Sequence, residues 1–282
     1  MRRQTVGAVG ALLVPLAISA QEPTAQWQRR TGPTQVPVTV FHSPQSANLP
    51  TAETLRGGEF QFEISHRFVP PISNGADDLW GLDGPVVNRL GLAYGLVDRA
   101  MLTFQRSNLD DNWDLNLKIR VYEANAAGLR FMTAALAGAA LNTGLPDRDT
   151  FASRNFQYYG MLVVNAMVGE HLALGVAPAY LQNPLVEADS TDHAFSVGLY
   201  GQVYVTTQLS FLAEWNLSQA RETLEHDAVT FGFELETGGH FFKLLLTNST
   251  RMNPAQFLGG TPYQLKPEEW RLGFNITRLL RF

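Results

Sequence analysis

The stretch WDLNLKIRV, from Trp113 to Val121, alternates apolar and polar residues without a break. In an extended chain successive side chains point to opposite faces, so its apolar and polar residues separate completely. In a helix the same residues would be spread around the axis. The stretch therefore predicts a β-strand with one apolar and one polar face.

The same period of two continues from Glu59 to the end of the chain and predicts about twelve strands. They span approximately residues 58–68, 86–97, 99–107, 112–122, 128–141, 156–168, 171–181, 193–206, 208–218, 227–237, 240–250 and 268–282. The connections between them alternate in length. Short ones, such as 97–99, 169–171, 206–208 and 237–239, alternate with long polar ones, such as 69–85, 142–155 and 251–267.

This alternation of connections predicts the fold class. Short periplasmic turns, long extracellular loops, an even strand number and two termini on the side of the turns are typical of outer-membrane barrels. Inside a bilayer only a closed barrel lets strands satisfy every backbone group. We therefore expect an all-β, transmembrane, antiparallel up-and-down barrel in the bacterial outer membrane, with apolar faces toward lipid and polar faces toward the lumen.

Composition excludes several other classes. Mean hydropathy is -0.08, and beyond the N-terminus no run of eighteen apolar residues occurs, which excludes a helical membrane protein. Without a basic patch, nucleic acid is not an expected partner. The absence of cysteine excludes thiol catalysis and cysteine-ligated metal. The expected partners are outer-membrane lipid, the barrel-assembly machinery and a small solute.

The N-terminal residues differ from the rest. Arg2 and Arg3 precede an apolar stretch at 6–18 that ends in small residues, so residues 1–20 are expected to be a cleaved signal peptide. Residues 21–57 are rich in proline and are expected to form a periplasmic N-terminal arm, with residues 58–282 as the barrel. By analogy with barrels for hydrophobic compounds, an arm of this length would also reach into the lumen as a hatch.

The C-terminal stretch RLGFNITRLLRF predicts the closing strand. Phe274, Ile276, Leu280 and Phe282 share its lipid-facing side and resemble the signal that barrel-assembly machinery recognises. Arg278 falls on the same side, where that signal usually carries an aromatic residue. Near a membrane interface a charge costs only about 0–1 kcal/mol and its side chain snorkels.

Charged residues on the polar faces are the candidate functional residues. The strand phases place these side chains in the lumen: Glu59, Glu63, Arg67, Arg89, Asp114, Lys118, Arg120, Arg130, Glu214, Glu234, Glu236 and Arg271. They are either the selectivity lining of a water-filled pore or partners of one another, because buried charge must be paired. Twelve strands lie between the filled eight-stranded and the open sixteen-stranded barrels, so both interpretations stay open.

No catalytic, cofactor-binding or metal-binding residue is predicted, and the chain is not expected to be an enzyme. Barrel lipases resemble one another in placing a histidine two residues before a serine, a spacing that none of the six histidines shows. Ser65 and His66 are adjacent and would point to opposite faces. The acidic loops at 77–83 and 110–114 are interpreted as solvated loops rather than Ca²⁺ sites.

Three segments carry a family resemblance: LPTAETLRGGEFQFEISHRF at 49–68, GADDLWGLDG at 75–84 and NRLGLAYGLVDRAMLTFQRS at 88–107. Together they resemble the opening of an uncharacterised bacterial outer-membrane β-barrel family known as a domain of unknown function. The resemblance implies a barrel in the outer membrane. It implies no substrate and no catalytic residue.

Three functions follow as expectations. The first is a channel or passive transporter for small solutes. The alternative is a structural or adhesion barrel that acts through its extracellular loops. The third is a lipase-type hydrolase with a Ser–His contact on its lipid-facing side. Conductance in planar bilayers separates the first from the other two.

Overall fold

Twelve β-strands are present in the computed structural model, which describes residues 35–126, 128–146, 148–188, 191–219 and 223–280. They are β1 (Phe60–Phe68), β2 (Val86–Val97), β3 (Ala100–Ser107), β4 (Asn112–Ala126), β5 (Leu129–Asn142), β6 (Phe156–Val168), β7 (Leu172–Gln182), β8 (His193–Tyr204), β9 (Leu209–Ser218), β10 (Ala228–Glu236), β11 (His240–Thr247) and β12 (Arg271–Leu280). The predicted strand number is confirmed.

The strands form a closed barrel. Each pairs antiparallel with its neighbours in sequence, and β1 also pairs with β12 in a register that places Ile64 opposite Ile276. Closure removes the two sheet edges that an open sheet would leave. The predicted fold class, an antiparallel up-and-down barrel, is therefore confirmed.

The alternation in sequence becomes an alternation of environment. In β4 the side chains of Asp114, Asn116 and Lys118 are buried, whereas Trp113 and Leu115 are exposed on the outer surface. Apolar residues on the outside and polar residues on the inside reverse the arrangement of a water-soluble protein. This is the arrangement that a surrounding lipid phase favours.

Two strands are about three residues shorter than the approximate limits predicted, at the end of the barrel that carries the long connections. β11 ends at Thr247 rather than residue 250. At the next position the Asn248 side chain, rather than a strand backbone carbonyl, accepts the hydrogen bond from Val229 N of β10 at 2.7 Å. β12 begins at Arg271 rather than residue 268, because Pro267–Glu269 form a turn of 3-10 helix. Proline lacks the N–H that a ladder needs.

The helices of the described residues all lie in the long connections. They are 3-10 turns at Ile72–Gly81, Leu109–Asp111, Ser153–Asn155 and Pro267–Glu269, and one short α-helix, α1, at Pro254–Leu258. In the described part of the chain, none of them has the length and apolar character of a membrane-crossing helix.

The segment before β1 lies inside the barrel. Residues 40–55, called here the luminal hairpin, fold back at a tight tip, where Ser46 N donates to Leu49 O at 2.9 Å and Thr51 N to Pro44 O at 3.0 Å. Leu49 and Thr51 have no accessible surface. The described residues thus place the second half of the segment expected as a periplasmic arm within the lumen. Residues 1–34, which include the expected signal peptide, lie outside the described residues.

A second segment closes the opposite end. Residues 248–261, called here the outer loop, form the first part of the connection from β11 to β12 and carry α1. The helix has Asn253 as its N-cap and Gly259 as its C-cap, and its residues Ala255, Phe257 and Leu258 are almost completely buried. The luminal hairpin and the outer loop therefore fill the lumen from its two ends.

Candidate functional site

Both ends of the luminal hairpin lie at the barrel mouth that carries the short turns. Arg130, at the start of β5, donates to Thr39 O at 3.2 Å, just before the hairpin begins. Just after it, Gly57 N donates to the Asp98 carboxylate at 3.0 Å, in the turn between β2 and β3. The hairpin therefore enters and leaves by the same mouth.

Glu214 of β9 holds the tip of the hairpin. Its carboxylate accepts hydrogen bonds from three consecutive backbone amides, those of Ala47 at 2.6 Å, Asn48 at 2.9 Å and Leu49 at 3.1 Å. The Asn48 side-chain amide adds a fourth donor at 3.1 Å. Hydrogen bonds to an ionised acceptor are stronger than neutral ones, so this cluster anchors the tip of the hairpin firmly.

Two lysines bind the carbonyl groups of the same turn. Lys118 Nζ, from β4, donates to Pro44 O at 2.7 Å and to Thr51 O at 2.9 Å. Lys243 Nζ, from β11, donates to the carbonyl oxygens of Gln45 and Ser46, both at 2.6 Å. The strands thus place a carboxylate against the amides and ammonium groups against the carbonyls. Each buried backbone group finds a partner of complementary charge.

Neutral side chains of the wall complete this set. The Asn165 carbonyl accepts from Ala52 N at 2.6 Å, Tyr200 OH donates to Pro50 O at 2.8 Å, and Asn275 Nδ2 donates to Ala47 O at 2.7 Å. These three residues come from β6, β8 and β12. The hairpin is consequently bonded to strands on all sides of the barrel.

Hairpin side chains also make specific contacts with the wall, among them those of Ser43, whose hydroxyl accepts from Lys243 Nζ at 3.0 Å, His42 and Asn48. His42 Nδ1 lies 2.9 Å from Glu234 Oε1, and the His42 ring meets the Tyr204 ring edge-on at 4.9 Å between centroids. Asn48 Oδ1 accepts from Arg67 Nη2 at 2.9 Å. Glu234 also lies 3.1 Å from Lys243 Nζ, so this carboxylate links the hairpin to a wall lysine.

Glu53, in the returning arm of the hairpin, stabilises the entering arm. Its Oε1 accepts from Val40 N at 2.9 Å and from Phe41 N at 3.2 Å. Burial raises the pKa of Glu53, and these two amides together with the charges of Arg120 and Lys118 offset part of that rise. Glu53 is therefore a titratable group inside the closed hairpin.

Other charges predicted to face the lumen pair with wall groups instead of the hairpin. Glu63 and Arg89 form a buried ion pair, and Arg89 Nη1 also donates to Met252 O of the outer loop at 2.6 Å. The Asp114 carboxylate accepts from Tyr159 OH at 2.9 Å and from Asn116 Nδ2 at 3.0 Å. Glu63, Arg89 and Asp114 are thus buried, and each has a partner within the protein.

Four further predicted residues lie near the ends of the barrel. Arg120 is partly buried and lies 3.4 Å from Glu123, while Glu59 accepts from Arg56 N at 3.0 Å. Glu236 accepts from Gly239 N at 2.7 Å in the last short turn. The remaining residue, Arg271, stacks 3.5 Å over the Tyr263 ring centroid at the opposite mouth. None of these contacts involves the hairpin tip.

Lys243 was missed by sequence reasoning, and so were the apolar residues of the lumen. Leu212 and Leu245 point inward and pack against Ala47 of the hairpin. The sequence of β11, HFFKLLLT, carries apolar residues on both faces. The rule that apolar residues face outward therefore does not show which residues of β11 face the lumen. A phase counted from Thr247 back to Phe241 would have placed Lys243 inside.

The outer loop is held mainly by packing and by side-chain amides. Leu258 belongs to an apolar cluster with Leu181 and Ala194 of the wall. Asn253 Nδ2 donates to Asn112 Oδ1 at 2.7 Å, and Asn216 Nδ2 donates to Phe257 O at 3.1 Å. This region thus differs in chemistry from the tip of the luminal hairpin.

An acid and a base are also partly buried at this end. Burial raises the pKa of Asp110 and lowers the pKa of Arg251, and the opposite charge of each partly offsets the shift of the other.

Small cavities remain between the two segments and the wall. One of about 110 Å³ lies at the short-turn mouth, where His42 and Glu53 of the hairpin face Gln61 and Phe241 of the wall. Another, of about 40 Å³, is lined by Asn48, Lys118 and Pro254. A water molecule takes up about 30 Å³ of liquid, so each cavity holds only a few waters.

The serine and histidine residues considered for catalysis lie apart. Ser65 faces the lumen and its hydroxyl donates to Glu63 at 2.7 Å, whereas His66 faces outward and its ring lies 4.5 Å from the Phe274 ring. The His240 ring accepts from Arg278 at 2.6 Å. Among the residues that the structure describes, no group of three or more His, Asp and Glu side chains is arranged to hold a metal ion.

The predicted assembly signal lies mostly within β12. Phe274, Ile276 and Leu280 occupy its outward positions, and Arg278 shares that face. Phe282 lies outside the described residues. The role of these residues in recognition by assembly machinery stays a prediction.

A closed twelve-stranded barrel with an apolar outer surface and a polar interior defines a membrane β-barrel protein. The model of the membrane-bound beta barrel domain family DUF5777 matches residues 41–280, and the chain belongs to that family. This confirms the family expected from the opening segments and places the protein in the bacterial outer membrane. Among curated proteins, no sequence matches the chain.

Several solved structures are similar in fold at low sequence identity. The NanC porin is 10% identical, with a TM-score of 0.48, over 79% of this chain and 100% of that chain. An outer-membrane channel from Pseudomonas putida F1 is 16% identical, with a TM-score of 0.49, over 81% and 98%. Outer membrane phospholipase A from Escherichia coli is 12% identical, with a TM-score of 0.36, over 80% and 90%.

Proposed function

We propose that the protein is a channel for small solutes, closed in the present conformation by the luminal hairpin and the outer loop. The observation that carries the proposal is that both ends of the hairpin lie beside Arg130 and Asp98, at the mouth that carries the short turns and is expected to face the periplasm. Withdrawal through that mouth requires no threading of the chain. It also breaks none of the strand-to-strand hydrogen bonds that close the barrel.

The wall that a departing hairpin leaves behind is polar and carries both signs of charge. Lys118, Lys243 and Glu214 would exchange backbone partners for water, an exchange whose net free energy is small compared with the gross energy of each bond. A wall with fixed charges and hydrogen-bonding groups selects solutes by complementary polar contacts. The proposed solutes are therefore small and polar.

A structural or adhesion barrel is the second candidate, and the filled lumen favours it. α1 of the outer loop packs on the wall through Leu258, and the cavity between Pro254 and the hairpin has only about 40 Å³. In that case the hairpin and the loop are permanent parts of the core. The two candidates differ in whether the filled state exchanges with an open one.

Conductance after release of the hairpin tests the proposal. A protease recognition sequence is inserted between Gly57 and Gly58, which are exposed, and the folded protein is cut and reconstituted in a planar bilayer. We expect small or rare current steps before cutting and discrete, larger steps afterwards. The steps should increase again when Leu258→Ala loosens the outer loop. The same protease applied to the chain without the inserted sequence is the control.

Silence at all voltages would contradict the channel. The test requires that mass spectrometry shows loss of the cut segment from the reconstituted Leu258→Ala protein. A silent bilayer under that condition would favour the structural barrel.

A further inference from the structure

The wall of the barrel hydrogen-bonds mainly to the main chain of the luminal hairpin and much less to its side chains. Glu214 binds the amides of residues 47–49, and Lys118 and Lys243 together bind the carbonyl groups of residues 44, 45, 46 and 51. Asn165, Tyr200 and Asn275 likewise bind one backbone group each. Every peptide carries these amide and carbonyl groups, whatever its sequence.

The arrangement of charge matches a turn of peptide chain. Successive N–H groups that converge in a turn form a concave site for an anion, and here the anion is the buried Glu214 carboxylate. The lysines come from β4 and β11 and bind carbonyls on the two sides of that turn. Donors and acceptors of the wall are thus ordered as a folded-back peptide requires.

Two side-chain contacts add a preference to this main-chain recognition. One wall site takes the His42 ring between Glu234 and Tyr204, and the other takes the Asn48 amide between Arg67 and Glu214. By contrast, the buried Ser46 hydroxyl has no hydrogen-bond partner among the residues that the structure describes. The hairpin sequence is therefore constrained at a few positions and loosely specified at others.

We infer that the lumen is a binding site for short peptides, which the luminal hairpin occupies as a segment of the same chain. Main-chain hydrogen bonds supply affinity in such sites, and pockets for individual side chains supply preference. The substrate class of the channel is then short peptides, a conclusion that rests on the proposed function. Peptide binding itself requires no conductance.

Binding is tested on the full chain, folded and then cut at the protease sequence inserted between Gly57 and Gly58. After the cut segment is washed out in detergent, a fluorescent synthetic peptide of residues 35–57 is added and its anisotropy measured. We expect it to bind again. Unlabelled tripeptides and tetrapeptides of unrelated sequence should displace it at higher concentration, whereas a neutral sugar of similar mass should not.

Changes in the synthetic peptide separate main-chain from side-chain recognition. N-methylation at residues 47, 48 and 49 removes the donors to Glu214 and should weaken binding at least about tenfold, the factor that follows from one hydrogen bond to a charged group. A Ser46→Ala peptide should bind within about threefold of the original, because that hydroxyl has no hydrogen-bond partner in the described part of the chain.

A matched pair of wall variants gives the same test from the other side. Glu214→Gln removes the charge that binds the amides, and Glu236→Gln removes a buried, inward charge that binds Gly239 N in a turn. Glu214→Gln should weaken both the labelled and the unrelated peptides, and Glu236→Gln should weaken neither.

The outcomes distinguish the two proposals. Equal binding of the N-methylated peptide, or equal displacement by the sugar, would overturn peptide recognition even if the cut protein conducts. Displacement of the labelled peptide by unrelated peptides, in a protein that never conducts, would support the peptide site and contradict the channel function.

Discussion

The luminal hairpin and the outer loop fill the same lumen, but the wall holds them by different chemistry. The hairpin tip is held by the charged side chains of Glu214, Lys118 and Lys243, which hydrogen-bond to its backbone amides and carbonyls. The outer loop is held mainly by the buried side chain of Leu258 and by amides such as that of Asn253, and one charged group, Arg89, binds its main chain at Met252 O. A charged group regains strong hydration when its partner leaves, whereas an exposed leucine gains nothing from water. The difference identifies the hairpin as the segment suited to reversible release.

Glu214→Ala should have the largest effect and should act on the hairpin alone. Loss of the carboxylate leaves three buried amides without an acceptor, so we expect closure of the hairpin to weaken by about 4 kcal/mol. Hydrogen exchange of residues 44–51 in detergent, followed by mass spectrometry, measures the effect, with Glu236→Gln as the control. Unchanged protection at residues 47–49 would contradict the role of Glu214.

Leu258→Ala should act on the outer loop and leave the hairpin tip protected. Truncation of a buried leucine typically costs about 2–5 kcal/mol, because it removes packing and leaves a cavity. We expect about 3 kcal/mol, measured as faster hydrogen exchange in residues 252–259. Equal acceleration at residues 47–49 would show that the two segments open together, and the distinction between them would be lost.

Gly198→Val should loosen the hairpin without removing any polar group. A Cβ atom at Gly198 would lie only 2.7 Å from the end of the Leu49 side chain. Overpacking of this kind costs about 1–3 kcal/mol, so we expect release weaker than that of Glu214→Ala. Proteolysis at the sequence inserted after Gly57 reports it as faster loss of the cut segment. Slower loss would mean that the added methyl groups fill space instead of displacing Leu49.

Glu53→Gln should have the smallest effect, seen as a change in pH dependence. The pKa of Glu53 is higher with the hairpin in place than its ordinary value of 4.5, so the closed form binds the proton more tightly than the released form. Closure is therefore strongest below pH 4.5 and weakens as pH rises through the raised pKa. The rate of segment loss, measured from acid to neutral pH, should rise in the native protein. Glutamine keeps an acceptor for Val40 and Phe41 and should flatten this profile.

Much of the barrel could be predicted because a local alternation of apolar and polar residues identifies most strands. The alternation from Trp113 to Val121 gives the strand, its two faces and the position of Lys118 without knowledge of any partner. The contents of the lumen could not be predicted in this way. Leu245 faces inward and packs against Ala47, a contact between residues almost two hundred positions apart in sequence.

Sequence alone determined the closed barrel, its strand number and, for strands with a clear alternation such as β4, the side that faces lipid, because a bilayer imposes one periodic rule on every strand. Only the tertiary structure decided what the inward charges bind. Glu214 binds backbone amides of the distant luminal hairpin, whereas Glu236 binds the Gly239 amide of the turn that follows its own strand. Both are glutamates on inward positions of neighbouring strands. A backbone amide is present at every residue and leaves no mark in the sequence. Its recognition is therefore settled only when the hairpin is placed in the lumen.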